Sequence, residues 1–362
     1  MKTKLPQVWQ DMLNQYQFEE LTPIQEQAFE PIQSKSNLLG ISPTGSGKTL
    51  AYLWPSLLNL SPKKAQQLLI LAPNTELAGQ IFEVTKTWAE PLGLTAQLFL
   101  SGSSQKRQIE RLKKGPEILI GTPGRVFELV KLKKIKMMAV NTIILDEFDD
   151  LLSDSQYQFV THIINRVPKD HQMIYMSATK TVAPDTLAPD TITLDLSQQA
   201  KETVQHYYLA LDKRDRLDIL RKLSNIPDVR ALVFFNSLSD LGATEERLQF
   251  HGTSAVSLAS DVNSKFRKAI LEKFKKHEIS LLLATDLVGR GIDIENLDLV
   301  INFDVPRDKD TYIHRAGRTG RMGKSGQVLT LVTHKEELKK LKKLVPVQEA
   351  VLKNQELRLL SH

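Results

Sequence analysis

The 362-residue chain contains no cysteine. Disulfides and every thiolate metal site are therefore excluded, and the composition fits a reducing compartment. No apolar run is long enough to span a bilayer, since even Arg230 to Ser237 and Ile279 to Thr285 are short and bounded by charges or turn residues. The N-terminus, Met1 to Gln7, passes into a polar amphipathic pattern without the apolar core of a signal peptide. The expectation is a cytoplasmic protein with no membrane contact. Low-complexity tails are also missing. Neither sign of charge dominates: 48 Lys and Arg stand against 42 Asp and Glu, a net charge of +6, and so mild an excess does not by itself establish nucleic-acid binding.

The basic residues are unevenly placed. One concentration runs through Lys106, Arg107, Arg111, Lys113 and Lys114 to Lys131, Lys133, Lys134 and Lys136 with few acids among them. Another is Lys335 to Leu344, where Leu338, Leu341 and Leu344 recur at helical spacing. That spacing reads as a docked terminal helix whose lysines form the solvated face.

Short apolar runs alternate with longer helical patterns along the whole chain, as a parallel sheet covered by crossover helices requires. In the first half they are Asn37 to Ile41, Leu68 to Ala72, Ala96 to Leu100, Ile118 to Gly121, Thr142 to Leu145 and Met173 to Met176. The rhythm restarts with Ala231 to Phe235, Ala255 to Leu258, Leu281 to Ala284, Leu299 to Phe303 and Val328 to Val332. The length suits two domains, each with its own core. The break is expected in the polar stretch Leu194 to Glu202, which lacks a strand pattern. This gives an α/β first domain over 1–196, a linker over 197–203 and an α/β second domain over 204–362.

Ser42-Pro43-Thr44-Gly45-Ser46-Gly47-Lys48-Thr49 follows an apolar strand and opens a helical pattern. Glycines there let backbone amides turn inward around phosphate oxygens, and the helix N-terminus adds a positive dipole end. Lys48 would reach the terminal phosphates and the Thr49 hydroxyl would ligate Mg²⁺. Asp146-Glu147-Phe148-Asp149 closes the strand Thr142 to Leu145. Carboxylates at a strand's carboxyl edge can hold hydrated Mg²⁺, the role assigned to Asp146, and deprotonate an attacking water, the role assigned to Glu147. An acidic strand-to-helix turn capped by Asp149 or Asp150 is the alternative, and the phosphate loop tips the balance against it. His314-Arg315-Ala316-Gly317-Arg318-Thr319-Gly320-Arg321 packs three arginines and a histidine between small residues. Brought across a domain boundary, such guanidinium groups can neutralise charge on a transferring phosphoryl group.

With these three motifs in their order, the chain resembles the DEAD-box family of ATP-dependent RNA helicases, from Phe18 to about Thr333. The resemblance implies two RecA-like domains in tandem, each a mainly parallel sheet flanked by helices. Phe18 with Thr22-Pro23-Ile24-Gln25 looks like the adenine-reading motif, which makes ATP the implied nucleotide, with Gln25 on the base edge and Thr44, Gly45, Ser46 and Gly47 on its phosphates. Ser177-Ala178-Thr179 is similar to the coupling motif, whose hydroxyls bond the acidic motif at Asp149. Thr122-Pro123-Gly124-Arg125 resembles an RNA-phosphate motif. Thr285 to Asp293 resembles the motif that touches RNA phosphates at Thr285 and Asp286 and nucleotide ribose at Gly289 and Asp293. By the same resemblance Arg318 and Arg321 are arginine fingers, while His314 and Arg315 link the acidic motif to a closed interface.

The chain also departs from the family pattern. No aromatic stands at the expected spacing upstream of Phe18, Trp9 being misplaced for adenine stacking. Phe148 occupies a position usually held by Ala. Ala72-Pro73-Asn74-Thr75-Glu76-Leu77 keeps Pro73 but lacks the arginine that would face an RNA phosphate. Ser101-Gly102-Ser103-Ser104 keeps Gly102 of a usual glycine pair. Ala259-Ser260 stands where His-Gly is frequent, and Ser264 replaces a Gln, leaving Arg267. The resulting expectation is an RNA-dependent ATPase that opens short duplexes or remodels ribonucleoproteins, as a monomer, holding RNA through phosphates and sugars. The alternative is an ATP-gated RNA clamp with little unwinding.

Overall fold

The computed structural model describes residues 4–16, 18, 20–64, 66–152, 154–179, 187–197, 204–227, 229–258, 264–286, 297–320, 325–353 and 356–359. At 154, 155, 264, 265, 353 and 356–359 it describes the backbone alone. Gly289, Asp293, Arg321, Ala259-Ser260 and most of the expected 197–203 linker lie outside the described residues. The chain divides into two compact units, Met1–Ala200 and Lys201–His362.

In the first unit the strands are β1 Leu38–Ile41, β2 Leu68–Leu71, β3 Ala96–Phe99, β4 Ile118–Gly121, β5 Thr142–Asp146, β6 Gln172–Ser177 and β7 Ile192–Asp195. They form one seven-stranded sheet in the order β3-β4-β2-β5-β6-β1-β7, and every pairing is parallel. Successive residues of a strand feed opposite cores, as a pleat requires. Leu68 and Ile70 join the cluster under the helices Lys48–Leu58 and Thr75–Ala89. Leu69 and Leu71 join the one under Gln105–Leu112, Pro123–Lys131 and Asp154–Ile164. Covering both faces explains why β2, β4 and β5 read as unbroken apolar runs.

All three tryptophans of the chain meet in the first of these cores. Trp9 and Trp54 pack edge-on against Trp88 at ring-centroid distances of 5.8 and 5.1 Å. Trp9 is fully buried and its indole N–H donates to the Trp88 carbonyl at 2.9 Å. Its role is to pin the N-terminal helix Gln7–Gln15 to the core.

The second unit carries β8 Val204–Ala210, β9 Ala231–Phe235, β10 Ala255–Leu258, β11 Leu281–Thr285, β12 Leu299–Asn302, β13 Gly326–Val332, β14 Gln348–Lys353 and β15 Glu356–Leu359. Its eight-stranded sheet runs β10-β11-β9-β12-β13-β8-β14-β15, parallel except for the β14-β15 hairpin. The lysine-rich helix Lys335–Leu344 docks as expected: Leu341 is buried, and Leu338 and Leu344 pack against the same core.

Three strand assignments differ from the sequence reading. The stretch expected to be strandless begins inside β7, an edge strand whose side chains are mostly exposed. It needs only backbone bonds to β1, so it carries little apolar signal. β8 mixes Gln205 and His206 with buried Tyr207 and Tyr208, and its aromatic half-buried pattern escapes an aliphatic count. The closing hairpin was likewise not anticipated. Among the described residues, no helix is long and apolar enough to cross a membrane.

Candidate nucleotide and RNA site

Three neighbouring strands, β5, β6 and β1, end at the same carboxyl edge of the first unit's sheet. The phosphate loop leaves β1, the acidic motif leaves β5, and Ser177 closes β6. The Ser42 N–H donates to the Ser177 carbonyl at 3.1 Å, which ties the loop to β6. Gly45 and Gly47 have φ of 78° and 86°, left-handed values that suit glycine. A Cβ at 47 would also meet the Gln25 side-chain amide, which would then have to move from its bond to the Gly47 carbonyl. The Lys48 ammonium donates to the carbonyls of Ser42 at 2.7 Å and Pro43 at 3.0 Å, holding it over the loop. Thr44 Oγ1 and Ser46 Oγ are buried atoms with no partner among the described residues. Buried hydroxyls normally find partners, so a loop with two orphans, left-handed glycines and a lysine suits a ligand rich in oxygens.

Gln25 is buried at the start of the helix Pro23–Gln33. Its Oε1 accepts from the Thr22 N–H at 3.0 Å and its Nε2 donates to the Gly47 carbonyl at 3.3 Å. One N–H and one lone pair of the amide remain for a base. Phe18 packs partly buried against the same core.

Asp146 is buried, and burial raises its carboxyl above the usual carboxylate range, opposed by the nearby Lys48 charge and by hydrogen bonds. Its Oδ2 accepts from the Tyr52 hydroxyl at 2.9 Å and its Oδ1 from the Glu147 N–H at 3.0 Å. Tyr52, also buried, has its phenol held well above its ordinary value by burial and then by the Asp146 charge. The sequence reading missed Tyr52, although it lies one helical turn from Lys48 and so shares its face. Glu147 takes a left-handed backbone, φ 48° and ψ 56°. Such a conformation costs a non-glycine residue about 1–3 kcal/mol, and here it turns the chain sharply at the strand end. Phe148 finds an apolar slot, 1% exposed, with its ring 4.6 Å from that of Tyr175. The substitution of Phe for the family's Ala is thus absorbed inward.

The two hydroxyls of the coupling motif behave differently. Thr179 Oγ1 donates to Asp149 Oδ2 at 3.0 Å. Ser177 Oγ turns back instead, donating to the Thr179 carbonyl at 2.8 Å and accepting its N–H at 3.1 Å. It therefore shapes the turn that presents Thr179, in place of the expected bond to the acidic motif.

Residues expected to meet RNA divide similarly. Thr122 Oγ1 is buried without a partner among the described residues at the N-terminus of the helix Pro123–Lys131, and Gly124 follows in its first turn. Gly102 is exposed with φ 78°. Arg125, expected to face a phosphate, is instead buried and committed to its own unit. It donates to the carbonyls of Leu100 and Ser103, both at 3.2 Å, and pairs with Glu128 at 3.0 Å. Its guanidinium staples the Gly102 loop to the Thr122 turn. Pro73 offers its carbonyl to Gln156 Nε2 at 3.0 Å.

In the second unit, β11, β9 and β12 are neighbours and their carboxyl ends surround Arg315, which is 1% exposed. Its Nε and Nη2 grip Asp286 at 2.6 and 2.8 Å, Nη1 donates to Asn302 Oδ1 at 3.2 Å and the Asp304 carbonyl at 3.1 Å, and Nη2 also donates to Asn236 Oδ1 at 2.7 Å. All five guanidinium donors are spent inside this unit. Two expectations change. Arg315 has no donor left to link the units, and Asp286, expected at RNA, is its counter-ion. Asn236, Asn302 and Asp304 were not foreseen. Arg216 pairs with Asp304 at 3.1 Å on the same strand end, so two buried arginines share it. His314 and Arg318 are buried, Thr285 closes β11, and Arg267 lies half-buried on the helix Ser264–Lys275.

Two family models match the chain, DEAD/DEAH box helicase over residues 22–187 and Helicase conserved C-terminal domain over residues 215–323. Among curated relatives, the probable ATP-dependent RNA helicase YfmL of Bacillus subtilis is 42% identical over 317 residues, 86% of this chain and 84% of that protein. The DEAD-box ATP-dependent RNA helicase CshC of Bacillus cereus is 38% identical over 325 residues, 88% of this chain and 82% of that one. Among solved structures, S. cerevisiae Dbp5 bound to RNA and ADP BeF3 aligns with a TM-score of 0.84 at 25% identity, over 95% of this chain and 93% of that chain. The phosphate loop, the acidic strand end and the two parallel-sheet units are thereby placed in context: the chain belongs to the DEAD-box family of ATP-dependent RNA helicases.

Proposed function

We propose that this protein is an RNA-stimulated ATPase that opens short RNA duplexes locally, by closing two domains, 1–196 and 204–362, joined by the linker 197–203, on ATP and single-stranded RNA. The observation that carries the nucleotide half is the loop of Thr44 to Lys48, with its orphaned hydroxyls and left-handed glycines. Gln25 joins base recognition to that loop through Gly47.

Thr49 and Asp146 are the proposed Mg²⁺ ligands. Among the described residues there is no cluster of three or more His, Asp or Glu that could hold a metal. Mg²⁺ commonly takes one or two protein groups and completes its shell with phosphate oxygens and water, so the donor set fits. When bound, the ion neutralises charge on the terminal phosphates. Tyr52 fixes the Asp146 carboxylate. Glu147 accepts a proton from the water that attacks the terminal phosphorus, the bond from that phosphorus to the bridging oxygen breaks so that ADP leaves, and Lys48 stabilises the phosphoryl oxygens. Arg318 and Arg321 supply positive charge from the second unit on closure, with Gly289 and Asp293 at the ribose. Thr179 reports the state of Asp149, His314 joins that relay, and Arg315 acts by holding the strand ends of its own unit.

RNA is held by Thr122, Gly124, Gly102, Pro73, Arg267 and Thr285, through phosphates and sugars, so sequence preference is weak. Arg125 and Asp286 serve it indirectly, by fixing the loops that touch it. The site of action is the cytoplasm, on ribonucleoprotein targets, as a monomer. Glu147→Gln should lower turnover by at least about 100-fold while sparing ATP binding, and retained turnover would remove Glu147 from the base role. A strand-displacement assay on a short duplex should show ATP-dependent opening. ATP-dependent RNA binding without displacement would replace the helicase with a clamp.

A further inference from the structure

At the amino-terminal edge of β2, β4 and β5, the end of the sheet opposite the phosphate loop, three chain segments are stapled together. The Lys63 N–H donates to a Glu117 carboxylate oxygen at 2.7 Å, and the Gln66 N–H donates to the Pro116 carbonyl at 2.8 Å. Gln66 Oε1 accepts the Lys136 N–H, and Gln67 Nε2 donates to the Lys64 carbonyl. These bonds gather Lys63 and Lys64, Lys113 and Lys114, and Lys134 and Lys136 around one set of strand ends. Every one of the six is exposed, and among the described residues none forms an ion pair. Glu117, the buried acid that joins these segments, is already spent on the Lys63 N–H and on the Thr95 N–H and hydroxyl.

The backbone accepts strain to keep this arrangement. Lys63, Gln66 and Lys133 have φ of 66°, 61° and 54°, a left-handed conformation that favours glycine. At Lys133, just past the C-cap of the helix Pro123–Lys131, glycine is the usual occupant, and the chain carries a cation instead. Arg107 and Arg111, one turn apart on the helix Gln105–Leu112, are also exposed and extend the charge upward. That helix starts at the Ser104 cap, directly behind the Gly102 loop, and its eight residues span about 12 Å.

We propose that this underside of the first unit is a second RNA-backbone site, reached from the Gly102 loop along Arg107 and Arg111, that takes up the flank of an RNA longer than the core site holds. Phosphate is the ligand chemistry that unpaired lysines on three loops fit. An acidic protein fits less well. The exposed large apolar residues of this region are Leu132, between Lys131 and Lys133, and Met138, between the buried Met137 and Ala139, and a protein interface needs a larger apolar centre than two such side chains. The proposal rests on the RNA-dependent reading above, and the experiment keeps the two apart.

Fluorescence anisotropy would compare a single-stranded RNA of about 10 nucleotides with one of about 40, at several salt concentrations. The proteins are the wild-type chain and the triple variant Lys114→Gln, Lys134→Gln, Lys136→Gln, whose unchanged unfolding temperature is checked first. Each phosphate neutralised on a single strand contributes about 0.7 to the slope of log affinity against log salt. The variant should therefore lose about 2 from that slope on the long RNA alone, with affinity falling roughly 10- to 100-fold at 0.1 M salt. Short-RNA affinity and short-RNA-stimulated turnover should be equal in the two proteins, and the matching Lys→Arg triple variant should behave as wild type. Equal long-RNA affinity and slope in wild type and variant overturn the proposal. So does patch-dependent capture of an acidic protein with RNA affinity unaltered. Failure of short RNA to stimulate the wild-type protein overturns instead the reading on which the proposal rests.

Discussion

Replacing Arg315 by Ala tests whether this arginine organises its own unit or bridges two. The guanidinium is 1% exposed and makes five hydrogen bonds, two of them a bidentate grip on Asp286. Its face also lies 5.2 Å from the centroid of the Phe234 ring. Removing one partner of a buried ion pair costs about 3–5 kcal/mol, because the other charge is left behind without compensation. Asn236, Asn302 and the Asp304 carbonyl lose their donor too, while the Asp286 side chain is 30% exposed and so partly compensated by water, and the whole of that range applies. For a unit of this size each kcal/mol lowers the midpoint by about 2–4 °C, which gives a fall of roughly 6–20 °C. The assay is calorimetric unfolding of the full chain without nucleotide or RNA, where a transition for the second unit should drop while that of the first stays. Arg315→Lys keeps the charge but has three donors for five acceptors and should recover part of the loss. A midpoint within about 1 °C of wild type for Arg315→Ala, with turnover abolished, would refute the organising role and restore a bridging one.

Tyr52→Phe removes only the hydroxyl that fixes Asp146. A hydrogen bond of this kind is worth about 1 kcal/mol net, so the Mg²⁺ concentration needed for tight binding of a non-hydrolysable ATP analogue should rise about fivefold. Metal-free binding should be unaltered, and an unchanged metal titration would remove Tyr52 from the site. Acid stability should follow Glu117. Burial raises its carboxyl, but bonds from Thr95 and the Lys63 N–H outweigh burial and leave it below its ordinary value of 4.5. A depressed folded value means stability that is present above the unfolded value and lost as pH falls through the folded one. The first unit's melting temperature should therefore decline below about pH 4.5, and Glu117→Gln should flatten that limb. The same slope in the variant would contradict the assignment.

The nucleotide loop was legible because its chemistry is contiguous: directly after the strand, glycines, lysine and hydroxyl follow one another in eight residues, Ser42 to Thr49. The acidic motif was legible in composition but not in shape, since nothing in Asp146-Glu147 announces the left-handed backbone of Glu147. Arg125, Asp286 and Arg315 resisted a reading by motif for one physical reason. Each is held by groups distant in sequence, Arg125 at the Leu100 carbonyl beside its near neighbour Glu128, and Arg315 at Asp286 and Asn236. A guanidinium on a short motif looks available until the fold brings its partners in. The basic patch shows the converse. Lys106 to Lys136 was visible as a concentration, but its union with Lys63 and Lys64 depends on Gln66, Gln67 and Glu117 joining three loops.

The lost strand assignments have a related cause. β7 exposes most of its side chains at a sheet edge, and pairing with β1 there uses backbone groups that every residue carries. Trp9 stands at the wrong spacing for adenine stacking, which the sequence shows. Its actual partners, Trp54 and Trp88, required the fold.

RNA-dependent hydrolysis is measured directly by the rate of ATP turnover with and without single-stranded RNA at low salt. Turnover should be slow alone and rise at least about tenfold as RNA approaches saturation, because ATP and RNA both favour the closed state. Turnover that is the same with and without RNA would contradict this expectation.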